Sequence, residues 1–263
     1  MRLQHKKALV TGASGGIGKA IALQLAREGC AVGIHFLDKA EEAQQVSEEI
    51  QALGGIAQVF QADLSEPVQA QRLGNEAWET MQGIDFLVNN AGVSYKKHFL
   101  DVTVEDVETF TNVNFKGTFF LTQTIARKMV ETKTEGSIYT ITSVNALRPG
   151  LGLSTYGATK GALETLMQGV AMELAPHRIK VNTIALGAFQ TDITASVWQN
   201  SALLKEVNDG IPLGRFGQPQ EAAAIVVDLL ASGSYLTGAS LTLDGGLLLM
   251  RGYGKPSPYQ NEE

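Results

Sequence analysis

The sequence predicts a single doubly wound α/β domain, with a parallel sheet of about seven strands and helices on both faces. Three observations predict it. Short apolar runs alternate with helical patterns from Lys7 onward, as consecutive βαβ units do. The first apolar run leads into a glycine-rich turn at a helix start, Gly12-Ala13-Ser14-Gly15-Gly16-Ile17-Gly18. No composition break, repeat or low-complexity tract divides residues 1–251. Residues 252–263, with Pro256 and Pro258, read as an irregular polar tail.

Residues 7–11 form a buried strand by composition, ended by Gly12, and residues 19–28 are helical through Ile21, Ala22 and Leu25. Residues 31–36 make the second strand. Residues 39–53 make an amphipathic helix that Gly54-Gly55 stops. The third strand, 56–61, ends towards Asp63. Ser65 is the expected N-cap of the next helix, with Pro67 in its first turn and its end near Met81. The fourth strand, 84–88, is closed by Asn89-Asn90-Ala91-Gly92.

Thr103 with Asp106 reads as a capped helix start, and a long helical stretch continues from Phe115 to Val130 with Asn114 near its beginning. Residues 137–142 make the fifth strand and deliver Ser143 to its C-terminal end. Residues 153–175 make a long apolar helix, to be covered by the sheet and by another subunit. Residues 179–185 and 241–243 are the last strands. Between them, residues 187–217 have only weak helical patches at 193–198 and 202–207, the mark of a substrate lid.

A strand, a glycine turn and a helix N-terminus together build an anion site, where backbone N–H groups converge and absent side chains admit a pyrophosphate. The spacing, Gly-x-x-x-Gly-x-Gly, is one residue wider than the usual dinucleotide fingerprint. The second chemical feature is Tyr156 with Lys160, four apart and therefore stacked on one helix face. A phenol titrates near pH 10, and a neighbouring ammonium favours its phenolate, which makes a general acid/base of it. Alone, this spacing usually marks a solvated helix face.

Composition narrows the classes. Of 263 residues, 44% are hydrophobic and 18% charged, as in a globular protein, and the net charge is −6. With no basic run, nucleic acid is not an expected partner. The single Cys30 has no internal partner for a disulfide and fits a reducing compartment. No apolar run approaches the roughly 20 residues of a membrane span, so a soluble cytoplasmic protein is expected. His5, His35, His98 and His177 lack metal-ligand spacing and read as surface or local structure.

Thr11 to Gly18, Asp63-Leu64, Asn89-Asn90-Ala91-Gly92, Asn114, Ser143 and Tyr156-Gly157-Ala158-Thr159-Lys160 occur in an order and spacing that resemble the short-chain dehydrogenase/reductase family. The resemblance runs from about residue 6 to 246. With its long final helix pattern and Leu243-Asp244-Gly245-Gly246, the chain is most similar to the glucose-1-dehydrogenase-like and 3-oxoacyl-carrier-protein-reductase-like branches. The resemblance implies a Rossmann-type fold and an NAD(P)-dependent interconversion of a secondary alcohol and a carbonyl. Tyr156 would exchange the proton and also contact the dinucleotide, Lys160 would lower its pKa and bind the nicotinamide ribose, Ser143 would polarise the reacting oxygen, and Asn114 would hold a water of the proton relay. Gly12, Ser14, Gly16, Ile17 and Gly18 would cradle the pyrophosphate. Asp63 and Leu64 would meet the adenine, Asn90, Ala91 and Gly92 the adenosine side, and Thr191 the carboxamide. Asn89 and Asn90 serve equally well as ties between strand ends.

Two departures matter. Leu186-Gly187 replaces the family's Pro-Gly after the sixth strand, leaving the lid less stiff. Phe36 and Leu37 stand where an acidic residue would select NAD, while Gly15 and Leu37 fill the places of a basic clamp for NADP. The missing clamp favours NAD and leaves NADP open. Asn145 and Gln190 suit a sugar or polyol as substrate, with Ser143 and Tyr156 at the reacting carbon. The alternatives are a carrier-bound ketoreductase, for which Arg127, Lys128 and Lys133 make a thin docking surface, and a nucleotide sensor without turnover. The family's use of the helix at 153–175 implies a homotetramer, and no metal is expected.

Overall fold

The computed structural model describes residues 1–232 and 235–249; the predicted tail at 252–263 lies outside the described residues. Strands β1 (Lys7–Val10), β2 (Ala31–Phe36), β3 (Ala57–Gln61), β4 (Phe86–Asn89), β5 (Ser137–Ser143), β6 (Lys180–Leu186) and β7 (Ser240–Leu243) form one sheet in the order β3-β2-β1-β4-β5-β6-β7. Every pairing is parallel.

Helices cover both faces, and alternation along each strand divides the side chains between them. Ala8, Val10 and Val88 point into a core built with α1 (Gly16–Arg27), α2 (Ala40–Ala52) and α9 (Pro219–Ala231). Leu9, Leu87 and Ile138 point to the other core, with α3 (Pro67–Thr80), α5 (Thr118–Thr132) and α6 (Ser154–Leu174). Burial on both faces explains why the inner strands β1, β2 and β4 read as unbroken apolar runs, whereas the edge strands β3 and β7 include exposed residues. In α9 the final helix pattern acquires bounds, with Pro219 in the first turn and a capping box between Gln218 and Glu221.

The structure corrects Ser65, which is not an N-cap: Glu66 holds that place, without a side-chain bond. Asp63 Oδ1 accepts the Ser65 N–H at 2.8 Å, and this local turn delays the helix by one residue. The predicted capping box of Thr103 and Asp106 is present on α4 (Val104–Phe110). Between α4 and α5 the helix passes through a π-helical turn, Thr111–Gly117, where the sequence pattern predicts plain helix. A Cβ at Gly117 would lie 2.3 Å from the Leu64 carbonyl oxygen, so glycine permits the close crossing of this turn and the loop after β3.

The lid leaves the body and returns through one neck. The Gln190 N–H donates to the Gly217 carbonyl at 3.0 Å, and the Gly217 N–H donates to the Ala188 carbonyl at 2.9 Å. Between them lie a 3₁₀ turn (Asp192–Thr194), α7 (Ala195–Trp198) and α8 (Ser201–Asp209). The weak patches in the sequence are thus short helices within a closed excursion.

Candidate active site

The site forms where the strand order reverses, between β1 and β4, at their C-terminal ends. Gly12 and Gly16 adopt left-handed φ values of +60° and +53°, and a Cβ at Gly18 would lie 2.2 Å from the Gly12 carbonyl oxygen. Side chains at these places would strain the turn or push α1 away. The first turn of α1 carries no acidic residue, so no side chain of the helix itself competes for its N–H groups and positive dipole end. Ser14 and Ile17 are partly exposed on the same turn. This cradle fits the pyrophosphate of a dinucleotide.

Neighbouring loops brace the cradle. Thr11 Oγ1 accepts the N–H groups of Asn90 and Ala91, both at 2.9 Å. The Asn90 amide donates to the carbonyls of Thr11 at 2.9 Å and Gly12 at 3.2 Å. Asn89 donates to Thr122 at 2.9 Å and Thr140 at 3.2 Å, tying β4 to its surroundings.

His35 accepts the Gly12 N–H at Nδ1, at 3.1 Å, and lies 3.1 Å from the Ala62 carbonyl through Nε2. With Nδ1 accepting, Nε2 carries the proton and donates. Burial pushes this imidazole down to about 4, so it is neutral at pH 7 and is no cation for a 2′-phosphate.

The candidate reacting groups come from β5 and α6. Ser143 ends β5, and Tyr156 and Lys160 occupy the first two turns of α6. Tyr156 is hydrogen-bonded to Ser143. Ser143 Oγ accepts from the Asn145 backbone at 3.2 Å and from its amide at 3.1 Å, while Asn145 Oδ1 accepts the Gly150 N–H at 2.9 Å. The Phe110 ring lies 6.2 Å from Tyr156, and Tyr95 stacks on Phe110 at 4.5 Å.

Lys160 is buried and donates to the Ile141 carbonyl at 3.0 Å. Its Nζ stands 6.0 Å from the centre of the Tyr156 ring. The sequence leads one to expect a tyrosine depressed by this lysine. In the structure burial raises the phenol, and the Ser143 hydrogen bond draws it partly back. The ammonium is engaged by a backbone carbonyl instead, and desolvation prevails. Burial also brings Lys160 down to about 8, against the opposing charge of Glu164.

Asn114 is fully buried. Its Oδ1 accepts the Val93 N–H at 2.8 Å, and its amide donates to the Val93 carbonyl at 3.0 Å and Thr159 Oγ1 at 3.3 Å. The π-helical turn therefore pins the loop after β4 to α6. A Cβ at Gly92 would come within 2.9 Å of Asn114 Oδ1 and 3.4 Å of Lys160 Nζ, so this glycine allows the three segments to meet.

From the lid, Thr191 carbon atoms lie 3.7 Å from where a Gly16 Cβ would stand, which places Thr191 on the cradle. Gln190 Oε1 accepts from Gln218 at 3.0 Å, which ties the lid's neck to the start of α9. Asp63 and Leu64 follow β3 at the sheet's edge, where the Asp63 N–H donates to Gln69 at 3.0 Å. Sequence reasoning missed the bracing by His35, the aromatic support from Tyr95 and Phe110, and Glu164. His35 gives a signal, a titratable group inside an apolar strand; the aromatic pair gives none. Among the described residues no cluster of three or more His, Cys, Asp or Glu is placed to hold a metal ion.

A dinucleotide cradle joined edge to edge with a serine–tyrosine–lysine cluster defines a class, the nicotinamide-dependent oxidoreductases with Rossmann-type sheets. Comparison with known proteins makes this particular. A family model described as enoyl-(acyl carrier protein) reductase matches residues 12–248. The chain is 36% identical to an L-rhamnose 1-dehydrogenase (NAD(P)+) of Sphingomonas sp. strain SKA58, over 93% of this chain and 97% of that one. It is 37% identical to a 3-oxoacyl-acyl-carrier-protein reductase of Aquifex aeolicus, over 94% and 99%. A short-chain dehydrogenase from Burkholderia cenocepacia solved with NADP superposes with a TM-score of 0.88 at 35% identity, covering 94% of this chain and all of that one. The chain belongs to the short-chain dehydrogenase/reductase family. It is an NAD(P)-dependent oxidoreductase acting on CH–OH groups.

Proposed function

We propose that the protein oxidises a sugar at a CH–OH group, as the L-rhamnose 1-dehydrogenases among its relatives are named for doing. The carrying observation is the Asn145 amide 3.1 Å from Ser143 Oγ. It sets a second polar group beside the serine that meets the reacting oxygen, a natural partner for a neighbouring sugar hydroxyl.

The nicotinamide, when bound, supplies the hydride acceptor. Gly12, Ser14, Gly16, Ile17 and Gly18 hold the pyrophosphate; Asp63 and Leu64 serve the adenine; Asn90, Ala91 and Gly92 flank the adenosine ribose; Thr191 serves the carboxamide. Tyr156 takes the substrate hydroxyl proton at its phenolic oxygen and returns it in the reverse direction. The Ser143 hydroxyl donates to the reacting oxygen and polarises it. Lys160 binds the nicotinamide ribose, and its charge serves the phenolate that forms in the reaction rather than the resting phenol, which burial keeps raised; Asn114 continues the relay to solvent.

NAD is the preferred dinucleotide in this reading, with NADP accepted. Leu37 is exposed beyond β2, and nearby Lys39 is paired with Asp192 of the lid at 3.3 Å. The assembly is a homotetramer. In support, a groove of about 560 Å³ between α5 and α6 is lined by Phe119, Ala126, Val130, Leu166, Val170 and Leu174. Arg127 shares that groove with Glu131 and Glu173, a mixture of charges that suits an acidic carrier poorly. The setting is cytoplasmic, in keeping with the free Cys30.

The test is nicotinamide absorbance with NAD and NADP against L-rhamnose, other aldoses and polyols, beside reduction of carrier-bound 3-oxoacyl chains. Sugar-dependent reduction of the dinucleotide is expected. Turnover confined to the acyl chains would replace this reading with the ketoreductase.

A further inference from the structure

We propose that Glu164 is a positioning residue for the reaction: its buried carboxylate is the counter-charge that keeps Lys160 an ammonium and clamps α6 to the sheet beneath Tyr156. This rests on Lys160 serving the proton relay, and not on which alcohol is oxidised.

Tyr156, Lys160 and Glu164 recur at intervals of four, so they share one face of α6. Glu164 is 7% exposed, and a glutamate is almost never so buried unless partnered. Both carboxylate oxygens accept hydrogen bonds, Oε1 from the Thr142 hydroxyl of β5 and Oε2 from the Thr183 hydroxyl of β6. Each carboxylate oxygen thus has a hydroxyl partner, and the two partners belong to neighbouring strands of the sheet. The preceding residue of β5, Ile141, offers the carbonyl that receives Lys160. Cation and anion are thus seated on consecutive residues of one strand.

Removing an ammonium from water disfavours it, and a nearby anion restores it. Glu164 is the charge that acts on Lys160 in this way. The other elements against α6 bring uncharged groups to the pair: Thr142 from β5, Thr183 from β6, Asn114 from the π-helical turn, Asn145 from the turn after β5, and Phe110 from α4 towards Tyr156. Lys116 of the π-helical turn and His177 of the turn after α6 are exposed, and Asp106 of α4 is taken by Lys97.

The experiment follows Lys160 directly. Trace acylation of the full-length protein across a pH series, read by mass spectrometry at Lys160, gives the amine's titration in the wild type, Glu164→Gln and Glu164→Asp. Thermal midpoints report folding, and the alkaline limb of kcat is followed in parallel. In Glu164→Gln, Lys160 is expected to titrate about one unit lower. The alkaline limb of kcat should move down with it while KM for the alcohol holds. Glu164→Asp, its charge withdrawn by one methylene, should shift less. A folded Glu164→Gln whose Lys160 titrates as in the wild type would overturn the proposal. Should the glutamine variant not fold, the aspartate variant decides alone: a downward shift supports the counter-charge, and an unmoved titration rejects it. Because labelling involves no sugar, a failure of the sugar reading leaves this test intact.

Discussion

In the proposed mechanism Lys160 carries two demands in one side chain, since it is buried at the site and has to be charged to serve it. Burial lowers its amine to about 8, close enough to neutrality for ammonium and amine both to be populated. Replacing Lys160 with Met should cut turnover by at least 100-fold and weaken dinucleotide binding together, since one group serves both. Steady-state rates and a binding isotherm would check it, and unchanged turnover would contradict the assigned role. His35 offers a prediction of another kind. Its folded pKa of about 4 lies below the ordinary imidazole value of 6.5, so between these values the unfolded chain binds the extra proton. Stability should therefore be complete above about pH 6.5 and fall as pH drops towards 4, by roughly 2–3 kcal/mol from this residue. Thermal melts of wild type and His35→Gln over that range should show a shallower acid slope in the variant.

At the scale of elements, the glycine turn and α1 are fitted to one another through a missing methyl group. Gly18→Ala would set a Cβ 2.2 Å from the Gly12 carbonyl oxygen, so turn or helix must move. About 1–3 kcal/mol of stability should be lost, with at least tenfold weaker dinucleotide binding; chemical melts and calorimetry would check both. The elements were largely legible beforehand, because the cues are local. β2 spans Ala31–Phe36 as its composition predicts, and the Thr103–Asp106 box stands where its spacing put it. What escaped depends on a competing local turn in one place and on distant contacts in another. Ser65 lost its cap to an Asp63 turn, and the π-helical turn around Asn114 answers to Leu64 and Val93, which periodicity along one helix does not display. Tyr156, Lys160 and Ser143 stood out in the sequence through the family resemblance rather than through residue type alone, and the fold sets them together at the end of β5 and the start of α6. Gln190 shows the converse, a suitable amide whose orientation only the fold determines.

For the whole molecule, the open question is what covers α6. One face meets the sheet through Leu163, Met167 and Ala171, while Met172 is 80% exposed and Leu166 and Val170 line the groove beside α5. A second subunit there would bury this surface at about 25 cal/mol per Å² of apolar area. Light scattering at micromolar concentration should give a tetramer, and Val170→Asp should shift it to smaller species; a wild-type monomer would refute the assembly.

The central claim is that Tyr156 exchanges the proton while the cradle independently holds the dinucleotide. Turnover and dinucleotide affinity measured side by side in wild type and Tyr156→Phe test it most directly. The account predicts a loss of turnover of roughly 10²–10⁴-fold with affinity within about threefold. A phenylalanine variant that turns over at the wild-type rate would contradict it.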